Sequence, residues 1–493
     1  MPVRPRRAPA DLAVLLAAAL ALTLFLVRER QIAGAAGFPL DDSWIHLHFA
    51  RNLASGAGFS YNPGVPVAGS TAPVWTLLLA AGAVVAGPSL ALVKVLGVLA
   101  TIAAGMLTGR AACAWGASPL VGAGAGVALV ATGALTWGAL SGMEVSLAAA
   151  LVAGALLAHA RERAWAAAAL ASLAALARPE AILLVPALAL GGPLGLRRLA
   201  IYVAVPVVLL APFVAFCYAT VGTPLPATAA AKIEGGLVGW LAGVSEPARV
   251  TFVERPAAFL AEWARWLAVT HWLMPIALVP ALAVAARRHG RALALPALTL
   301  LAHPLAMALL APYRGPAFQE GRYSMHLLPL AMVVLAAAVP AARARVGAAV
   351  VAVYLVLAVP ALVPAATRYA WGVQNMNAMQ VHLGRWLDRE LPPKSRVAVN
   401  DIGAIAYFSR REIIDLMGLV TPAIIPYRRD GEAGVVRYLA ETCPDHVVIF
   451  PAWFPALSAR HDLLEPWYRV RLERNEVAGA DEMVVYRVKR CAV

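Results

Sequence analysis

Two adjacent carboxylates, Asp41 and Asp42, follow the first long hydrophobic stretch of the sequence. Neighbouring like charges raise each other's pKa, and partial burial at a membrane boundary adds a desolvation cost. A helix N-cap would account for one aspartate, because Asp before an apolar run satisfies N–H groups of the first turn. It leaves the other aspartate unexplained. The pair therefore predicts the core of an active site.

The segment around this pair is a long loop with turn residues between hydrophobic stretches. Long loops in compact proteins are usually functional. Helical spacing after Trp44 predicts an amphipathic helix at the membrane interface, with a polar arc that faces either water or the site. The polar arc contains His48, Arg51, Asn52 and Ser55.

The composition excludes an ordinary soluble protein. Hydrophobic residues make up 61% and charged residues 14% of the 493 residues, and the mean hydropathy is +0.73. These values predict a polytopic membrane protein. The formal net charge of +14 reports membrane topology rather than nucleic-acid binding, because many of the arginines lie in short loops between spans.

Hydrophobic runs and the positive-inside rule predict about eleven spans. The outer loops are then residues 28–89, with an interfacial or re-entrant piece at 72–86, and residues 220–262. The predicted spans cover residues 9–27, 90–109, 117–136, 145–160, 164–177, 181–195, 199–219, 264–286, 292–311, 324–340 and 346–366.

The tail, residues 367–493, changes character. Charged residues become frequent and the apolar runs become short, which predicts a small α/β domain on the outer face. Cys443 and Cys491 belong to this domain, where oxidation is permitted, and either a disulfide or two free thiols fits their spacing. Predicted strands cover residues 396–400, 412–415, 446–450, 467–472 and 483–488.

Further charged residues cluster at the predicted outer ends of the spans. Any single one could extend harmlessly to the lipid headgroups, but together they suit a reaction that deprotonates a hydroxyl while a phosphate departs. The candidate residues for binding the donor phosphate or sugar are Glu144, Arg178, Lys232, Arg322, Tyr323, His326, His48 and Arg51. No cluster has the ligand spacing of a structural metal site, and a Mg²⁺ ion at Asp41 and Asp42 is an open alternative.

An ordered series of segments over residues 38–420 resembles the polytopic GT-C superfamily of membrane glycosyltransferases, and within it the branch with mycobacterial arabinofuranosyltransferases. Protein O-mannosyltransferases are more distant relatives in this comparison. The segments read DDSWIHLHFARNLASGAGFSYNPGVPVAGSTAPVWTLLLA, SGMEVSL, ARPEAILL, TPLPATAAAK, GRYSMHLLPL and NDIGAIAYFSRREIIDLMGL.

This resemblance implies a mainly α fold, with residues 1–366 forming a transmembrane GT-C catalytic module and an extracytoplasmic α/β domain after it. It implies inverting transfer of a sugar from a polyprenyl-phosphate donor to a hydroxyl of an envelope glycan, lipid or protein, outside the bacterial cytoplasmic membrane. The motif match gives Asp41 and Asp42 the catalytic role, and Glu144 the place of a further outer-face acid. Ala227 and Trp44 depart from residues common in relatives, which bears on the identity of the sugar.

The tail contributes candidates for acceptor binding. An Asn-Asp pair before a Gly-led turn places polar side chains at the carboxyl end of a strand, where α/β domains commonly bind ligands. Plain turn chemistry is the alternative, because Asn, Asp and Gly are the usual turn residues. The candidates are Asp401, Tyr407 and Asp415.

Two other classes of protein compete with a transferase. A transporter or flippase for lipid-linked sugars would carry charges or broken helices at the bilayer midplane and paired repeats, whereas the charges here lie at the outer ends of the spans. A membrane-anchored glycan-binding protein accounts for the tail but not for the aspartate pair.

Overall fold

The computed structural model describes residues 7–233, 235–339 and 344–489. The chain divides into two compact units. The first, here called the helical unit, comprises Met1–Leu26, Lys94–Pro212 and Ile233–Ala366. The second, here called the mixed unit, comprises Val27–Val93, Phe213–Lys232 and Thr367–Val493. The mixed unit therefore joins the predicted tail domain to two segments from earlier in the chain.

The described helices confirm the mainly helical, multi-pass membrane fold. Six are long and apolar enough to cross a bilayer, and two bent pairs raise the number to eight among the described residues. The six are Ala8–Ile32, Leu90–Ala114, Leu196–Val221, Arg291–Leu309, Phe318–Ala338 and Arg345–Glu390. The bent pairs are Pro119–Val130 with Gly133–Ser141 and Val250–Thr270 with Met274–His289.

Three of the roughly eleven predicted spans coincide with shorter apolar helices. Val145–Ala160 has 16 residues and Ala164–Ala177 has 14, and Pro179–Gly191 combines a 3-10 turn with a short helix. A 16-residue helix rises about 24 Å, which is less than the hydrocarbon core of roughly 30 Å. The apolar runs were therefore located correctly, but these three helices are shorter than the full spans.

Small residues let helices of the helical unit approach closely. The Leu90–Ala114 helix packs against Pro119–Val130 through glycines on both sides. A Cβ atom added at Gly126 would lie 2.6 Å from the carbonyl oxygen of Gly105, so only glycine fits this crossing, as in other membrane helix pairs. The other helices of this unit are Val145–Ala160, Ala164–Ala177, Leu184–Gly191, Gly236–Leu241, Arg255–Thr270, Met274–His289, Phe318–Gly321 and Leu328–Ala338.

The mixed unit contains a five-stranded sheet with strand order β2-β1-β3-β5-β4. The first three strands in this order are parallel, and β5 pairs antiparallel with both β3 and β4. All five lie where strands were predicted. Their bounds are β1 Arg396–Val399, β2 Glu412–Asp415, β3 His446–Ile449, β4 Leu464–Arg471 and β5 Glu482–Val488. The helices of this unit are Asp42–Ala54, Pro73–Ala86, Ala227–Ala230, His382–Glu390, Gly403–Ser409, Ile425–Arg428, Gly431–Thr442 and Pro455–Ser458.

One face of this sheet positions the aspartate pair. Side chains of successive strand residues point to opposite faces, so Val397 and Val399 join one core cluster while Ala398 joins the other. Ile45 and Phe49 of the Asp42–Ala54 helix are buried in the same cluster as Val397 and Val399. Apolar burial thus fixes the helix that begins at Asp42 against the sheet.

Candidate functional site

The loop before the aspartate pair is held by buried contacts within the mixed unit. The N–H of Gly37 donates to Glu29 Oε1 at 3.0 Å, and the hydroxyl of Tyr369 donates to the same oxygen at 3.4 Å. Phe38 is fully buried. These contacts therefore fix the backbone that leads to Asp41.

Asp41 binds the start of a helix that lies far along the chain. Its carboxylate accepts the N–H of Gly403 at 2.5 Å and the N–H of Ala404 at 2.8 Å, and these residues open the Gly403–Ser409 helix. Helix N-termini carry unpaired N–H groups and a partial positive charge, so they favour a carboxylate. A Cβ atom at Gly403 would overlap the carbonyl oxygen of Asp41, so glycine is required there.

A third acidic residue, Asp401, is close enough for its charge to act on Asp41. Gln380 Nε2 donates to Asp401 Oδ2 at 2.7 Å. Burial and the neighbouring charge of Asp401 raise the pKa of Asp41 well above its ordinary value. Burial also raises the pKa of Asp401, with a further contribution from the charge of Asp42. The site therefore contains three acidic groups whose charges act on one another.

Asp42 is the more accessible member of the predicted pair. Asp41 is 8% exposed, whereas Asp42 is partly exposed at the first turn of its helix. Its charge acts on Asp401. The oxygens of Asp41 accept two main-chain N–H groups.

His48 and Arg51 face other protein groups rather than open water. His48 Nε2 lies 2.8 Å from the carbonyl oxygen of Tyr61, and Nδ1 lies 3.2 Å from an Arg51 nitrogen. Burial and the charge of Arg51 lower the pKa of His48 to about 3, so His48 is neutral at physiological pH. The Arg51 guanidinium lies 4.6 Å from the Tyr407 ring centre and donates to the Tyr407 carbonyl at 2.8 Å.

An aromatic cluster lies beside the aspartates. Trp44 is 4% exposed, and its ring centre lies 4.8 Å from that of Phe38, 5.2 Å from Tyr407 and 4.9 Å from Phe408. Its Nε1 has no hydrogen-bond acceptor among residues 7–233, 235–339 and 344–489. Tyr407 is thus held between Trp44 and Arg51, and its hydroxyl donates to Pro88 at 3.3 Å.

Asp415 and Lys232 occupy other parts of the mixed unit. The Asp415 carboxylate is fully buried and accepts the N–H groups of Met417 at 2.7 Å and Val420 at 2.8 Å. Asp415 therefore stabilises a turn, which is the alternative that the sequence analysis gave for these residues. Lys232 is half-buried just after the Ala227–Ala230 helix.

The helical unit contains its own buried polar cluster, and Glu144 and Arg178 are its centre. Arg178 Nη1 donates to Glu144 Oε1 at 2.6 Å, and the same guanidinium bonds Glu180 at 3.1 Å. Arg178 is 4% and Glu144 1% exposed. The guanidinium also lies 4.6 Å from the Tyr323 ring centre. Two glutamates therefore compensate the charge of Arg178.

A turn with left-handed backbone angles precedes Arg322, which is the other predicted cation of this cluster. Gln319, Glu320 and Gly321 have φ angles of 49°, 61° and 78°, and two of them are not glycine. Such residues are strained and persist where the surroundings fix them. Trp266 Nε1 donates to the Glu320 carbonyl at 2.9 Å. The turn leads directly into Arg322, which is 4% exposed.

Two histidines complete the cluster in the helical unit. The ring centres of His303 and His326 lie 5.3 Å apart, and His303 Nε2 lies 3.0 Å from Ser324 Oγ. Neither ring nitrogen of His326 has a hydrogen-bond partner within the described ranges. Both rings line a cavity of about 10 Å³, together with Glu180 and Thr299, which is room for about one water molecule.

Several residues of these sites were not predicted. Gln380 and His303 are buried and polar, but no spacing in the sequence marks them. Gln380 lies between Met379 and Val381 without a periodic pattern. A buried amide of this kind can be found only once its distant carboxylate partner is known.

The Mg²⁺ alternative at Asp41 and Asp42 stays a prediction. No group of three His, Cys, Asp or Glu side chains is placed to hold a metal in the described part of the chain, but Mg²⁺ needs only one or two carboxylates when water and phosphate supply its other ligands. The pairing of Cys443 concerns Cys491, which lies outside the described residues.

Sequence comparison gives a limited result. Residues 371–486 match the family model described as "Domain of unknown function (DUF8728)". No curated protein sequence matches the chain.

Solved structures give a broader match. ArnT from Cupriavidus metallidurans, bound to undecaprenyl phosphate, is 14% identical, with a TM-score of 0.57 over 96% of this chain and 97% of that one. AglB, an oligosaccharyltransferase from Archaeoglobus fulgidus in complex with an inhibitory peptide and a dolichol-phosphate, is 11% identical, with a TM-score of 0.59 over 89% of this chain and 69% of that one. The predicted link to the arabinofuranosyltransferase branch stays a prediction. At these identities the match shows a shared fold, and the chain has the fold of ArnT and of AglB.

Proposed function

We propose that this protein transfers a sugar, with inversion, from a polyprenyl-phosphate donor to a hydroxyl group of an envelope glycan, lipid or protein. The observation that carries the proposal is the acidic site of the mixed unit, in which the charges of Asp41, Asp42 and Asp401 act on one another and the N–H groups of Gly403 and Ala404 hold Asp41 in place. The shared fold supports it, because ArnT and AglB were solved with undecaprenyl phosphate and dolichol-phosphate.

In this mechanism Asp42 is the general base. A glycosyl phosphate reacts through a transition state with positive charge on the sugar and negative charge on the leaving oxygen. Asp42 removes the proton of the acceptor hydroxyl as that oxygen attacks the anomeric carbon, and the phosphate departs on the opposite face. Asp41 holds the loop through its bonds to Gly403 and Ala404. No step passes through a metal ion.

Cationic and hydrogen-bonding side chains bind the departing phosphate. In the mixed unit the proposed contact is Lys232. In the helical unit Arg322, Tyr323 and His326 stay predicted donor-binding residues. Arg178 has a different part, because Glu144 and Glu180 neutralise it. It fixes the ring of Tyr323 and contributes little net charge.

An apolar cavity of about 720 Å³ in the helical unit offers room for a prenyl chain. Its wall is formed by side chains such as Ile276, Met332 and Val350, with Tyr354 as a polar exception. Sites for lipid and drug-sized ligands commonly have volumes of about 300–1,000 Å³ and apolar walls. The cavity therefore suits the lipid part of the proposed donor.

The proposed location is the bacterial cytoplasmic membrane, with the acidic site on the extracytoplasmic side. The positive-inside rule supports this orientation, because Arg110, Arg161, Arg287 and Arg288 follow the inner ends of predicted spans. The acceptor candidates Asp401 and Tyr407 then have separate roles. Asp401 accepts the Gln380 amide and contributes to the acidic site, and Tyr407 remains the proposed stacking partner of the acceptor sugar.

The test is sugar transfer by the purified protein in lipid nanodiscs, with a series of polyprenyl-phosphate sugars as donors and release of polyprenyl phosphate as the readout. We expect Asp42→Asn to reduce turnover by ~10² to 10⁴-fold, as loss of a general base does. Asp462→Asn is the matched control, because Asp462 is exposed and pairs with the nearby Arg460 in the tail. Equal turnover of both variants would contradict the base assignment.

A further inference from the structure

Arg51 is a half-buried cation that no carboxylate compensates. Its guanidinium donates to the carbonyl of Tyr407 at 2.8 Å and lies 3.2 Å from Nδ1 of the neutral His48. A guanidinium carries more N–H groups than these two contacts use, and no ion pair within the described residues includes Arg51. Burying a cation without a counter-charge costs free energy. The position therefore indicates an anionic ligand.

The ring of Tyr407 fixes the direction of this guanidinium. The Arg51 guanidinium lies 4.6 Å from the ring centre, and the ring of Trp44 packs against the same ring at 5.2 Å. The Tyr407 hydroxyl donates to the carbonyl of Pro88 at 3.3 Å. An arginine stacked on a fixed aromatic ring loses little freedom when its planar N–H fork binds a carboxylate or phosphate. Arg51 is therefore preorganised for such a group.

Arg410 adds a second positive charge beside Tyr407. It follows the Gly403–Ser409 helix, three residues after Tyr407, and has a left-handed φ of 55°. Its charge acts on Arg51 and on Tyr407. Its side chain is exposed and forms no ion pair in the part of the chain that the structure describes. Two neighbouring cations repel each other, and a bound anion would remove this repulsion.

We propose that Arg51, together with Arg410, binds an anionic group of the acceptor, either a carboxylate or a phosphate. This inference rests on the proposed function and deepens it, because it names the acceptor as an acidic molecule. The neighbouring ring of Tyr407 is the proposed stacking partner of the acceptor sugar. The two arginines and this ring thus form one acceptor-binding surface of the mixed unit.

The donor phosphate is the alternative source of the anion, and the position of Arg51 favours the acceptor. The leaving phosphate is bonded to the carbon that the acceptor hydroxyl attacks, so it must lie close to the proton that Asp42 removes. Asp42 begins the Asp42–Ala54 helix and Arg51 lies near its end. Nine residues separate them, which is about 13.5 Å along the helix axis.

Anion binding can be measured without turnover. The protein in phosphatidylcholine nanodiscs is first saturated with undecaprenyl phosphate, which fills the proposed donor site. It is then titrated with inorganic phosphate at constant ionic strength, and the rise of the thermal midpoint gives the apparent affinity. We expect the wild type to bind phosphate under these conditions, and Arg51→Gln and Arg410→Gln each to bind at least ~10-fold more weakly, the effect of losing a charge-assisted hydrogen bond.

Two features of the design separate binding from folding and from general charge. The Arg410 side chain forms no hydrogen bond within the described ranges, so Arg410→Gln carries the test if Arg51→Gln does not fold. Arg487→Gln is the matched control and should keep the wild-type affinity, because Arg487 is also an exposed arginine of the mixed unit, 4.0 Å from the ring centre of Trp467.

The possible results have distinct meanings. A wild type that binds phosphate only before undecaprenyl phosphate is added places the anion on the donor and overturns the proposal. Unchanged affinity in both Arg51→Gln and Arg410→Gln, or no response of the wild type, also overturns it. A wild type that binds phosphate as expected but transfers no sugar refutes only the proposed function.

Discussion

Gly403→Ala tests whether the helix start must contact Asp41. The new methyl group would overlap the Asp41 carbonyl oxygen and lie 2.7 Å from Oδ2. A shift of about 0.7 Å restores ordinary contact at the carboxylate, and more is needed at the carbonyl. Overpacking of this kind costs about 1–3 kcal/mol. If the loop moves away, each lost N–H bond to the carboxylate costs about 1.5–3 kcal/mol.

We expect a large loss of turnover from this single methyl group, because a misplacement of about 1 Å at a reacting group costs ~10²-fold. The assay is release of polyprenyl phosphate by protein purified in nanodiscs, with the thermal midpoint measured on the same samples. Gly195→Ala is the control, since nothing lies within 4 Å of its added Cβ. Wild-type turnover and thermal midpoint in Gly403→Ala would refute the contact.

Two further predictions concern the helical unit and the orientation of the chain. Arg178→Met should lower the free energy of unfolding by about 3–5 kcal/mol, because it leaves Glu144 and Glu180 without their cation. Adding Glu144→Gln to this variant should restore part of the loss. A thermal midpoint like that of the wild type in Arg178→Met would contradict this. A membrane-impermeant maleimide should label Ser55→Cys in intact cells but native Cys113 only after permeabilisation. The reverse pattern would place the acidic site in the cytoplasm.

The sequence predicted the locations of the helices and strands well, because hydropathy and alternation are local properties. Bends were harder to predict. The predicted span 117–136 covers two helices bent by 57°, and the break lies at Thr132, whose side chain accepts the N–H of Leu135 and starts the second helix. A Thr inside an apolar run does not reveal whether it caps a new helix or faces a neighbour.

The candidate site was predicted in part. The aspartates and the Asn400–Asp401 turn were both identified, but their meeting was not, since hundreds of residues separate them and no local pattern encodes the contact. The polar arc of the Asp42–Ala54 helix was also identified. Within this arc, His48 and Arg51 contact Tyr61 and Tyr407, which depends on packing that only the tertiary structure defines.

The loop after β1 has a consequence for how such proteins can change during evolution. Because Gly403 and Ala404 complete the surroundings of Asp41, the sheet-bearing tail is not a detachable appendage that recombination could exchange freely between relatives. A replacement tail would have to bring a glycine and two N–H groups to the same place. Exchange of the whole tail would therefore also remove the groups that hold Asp41 in place.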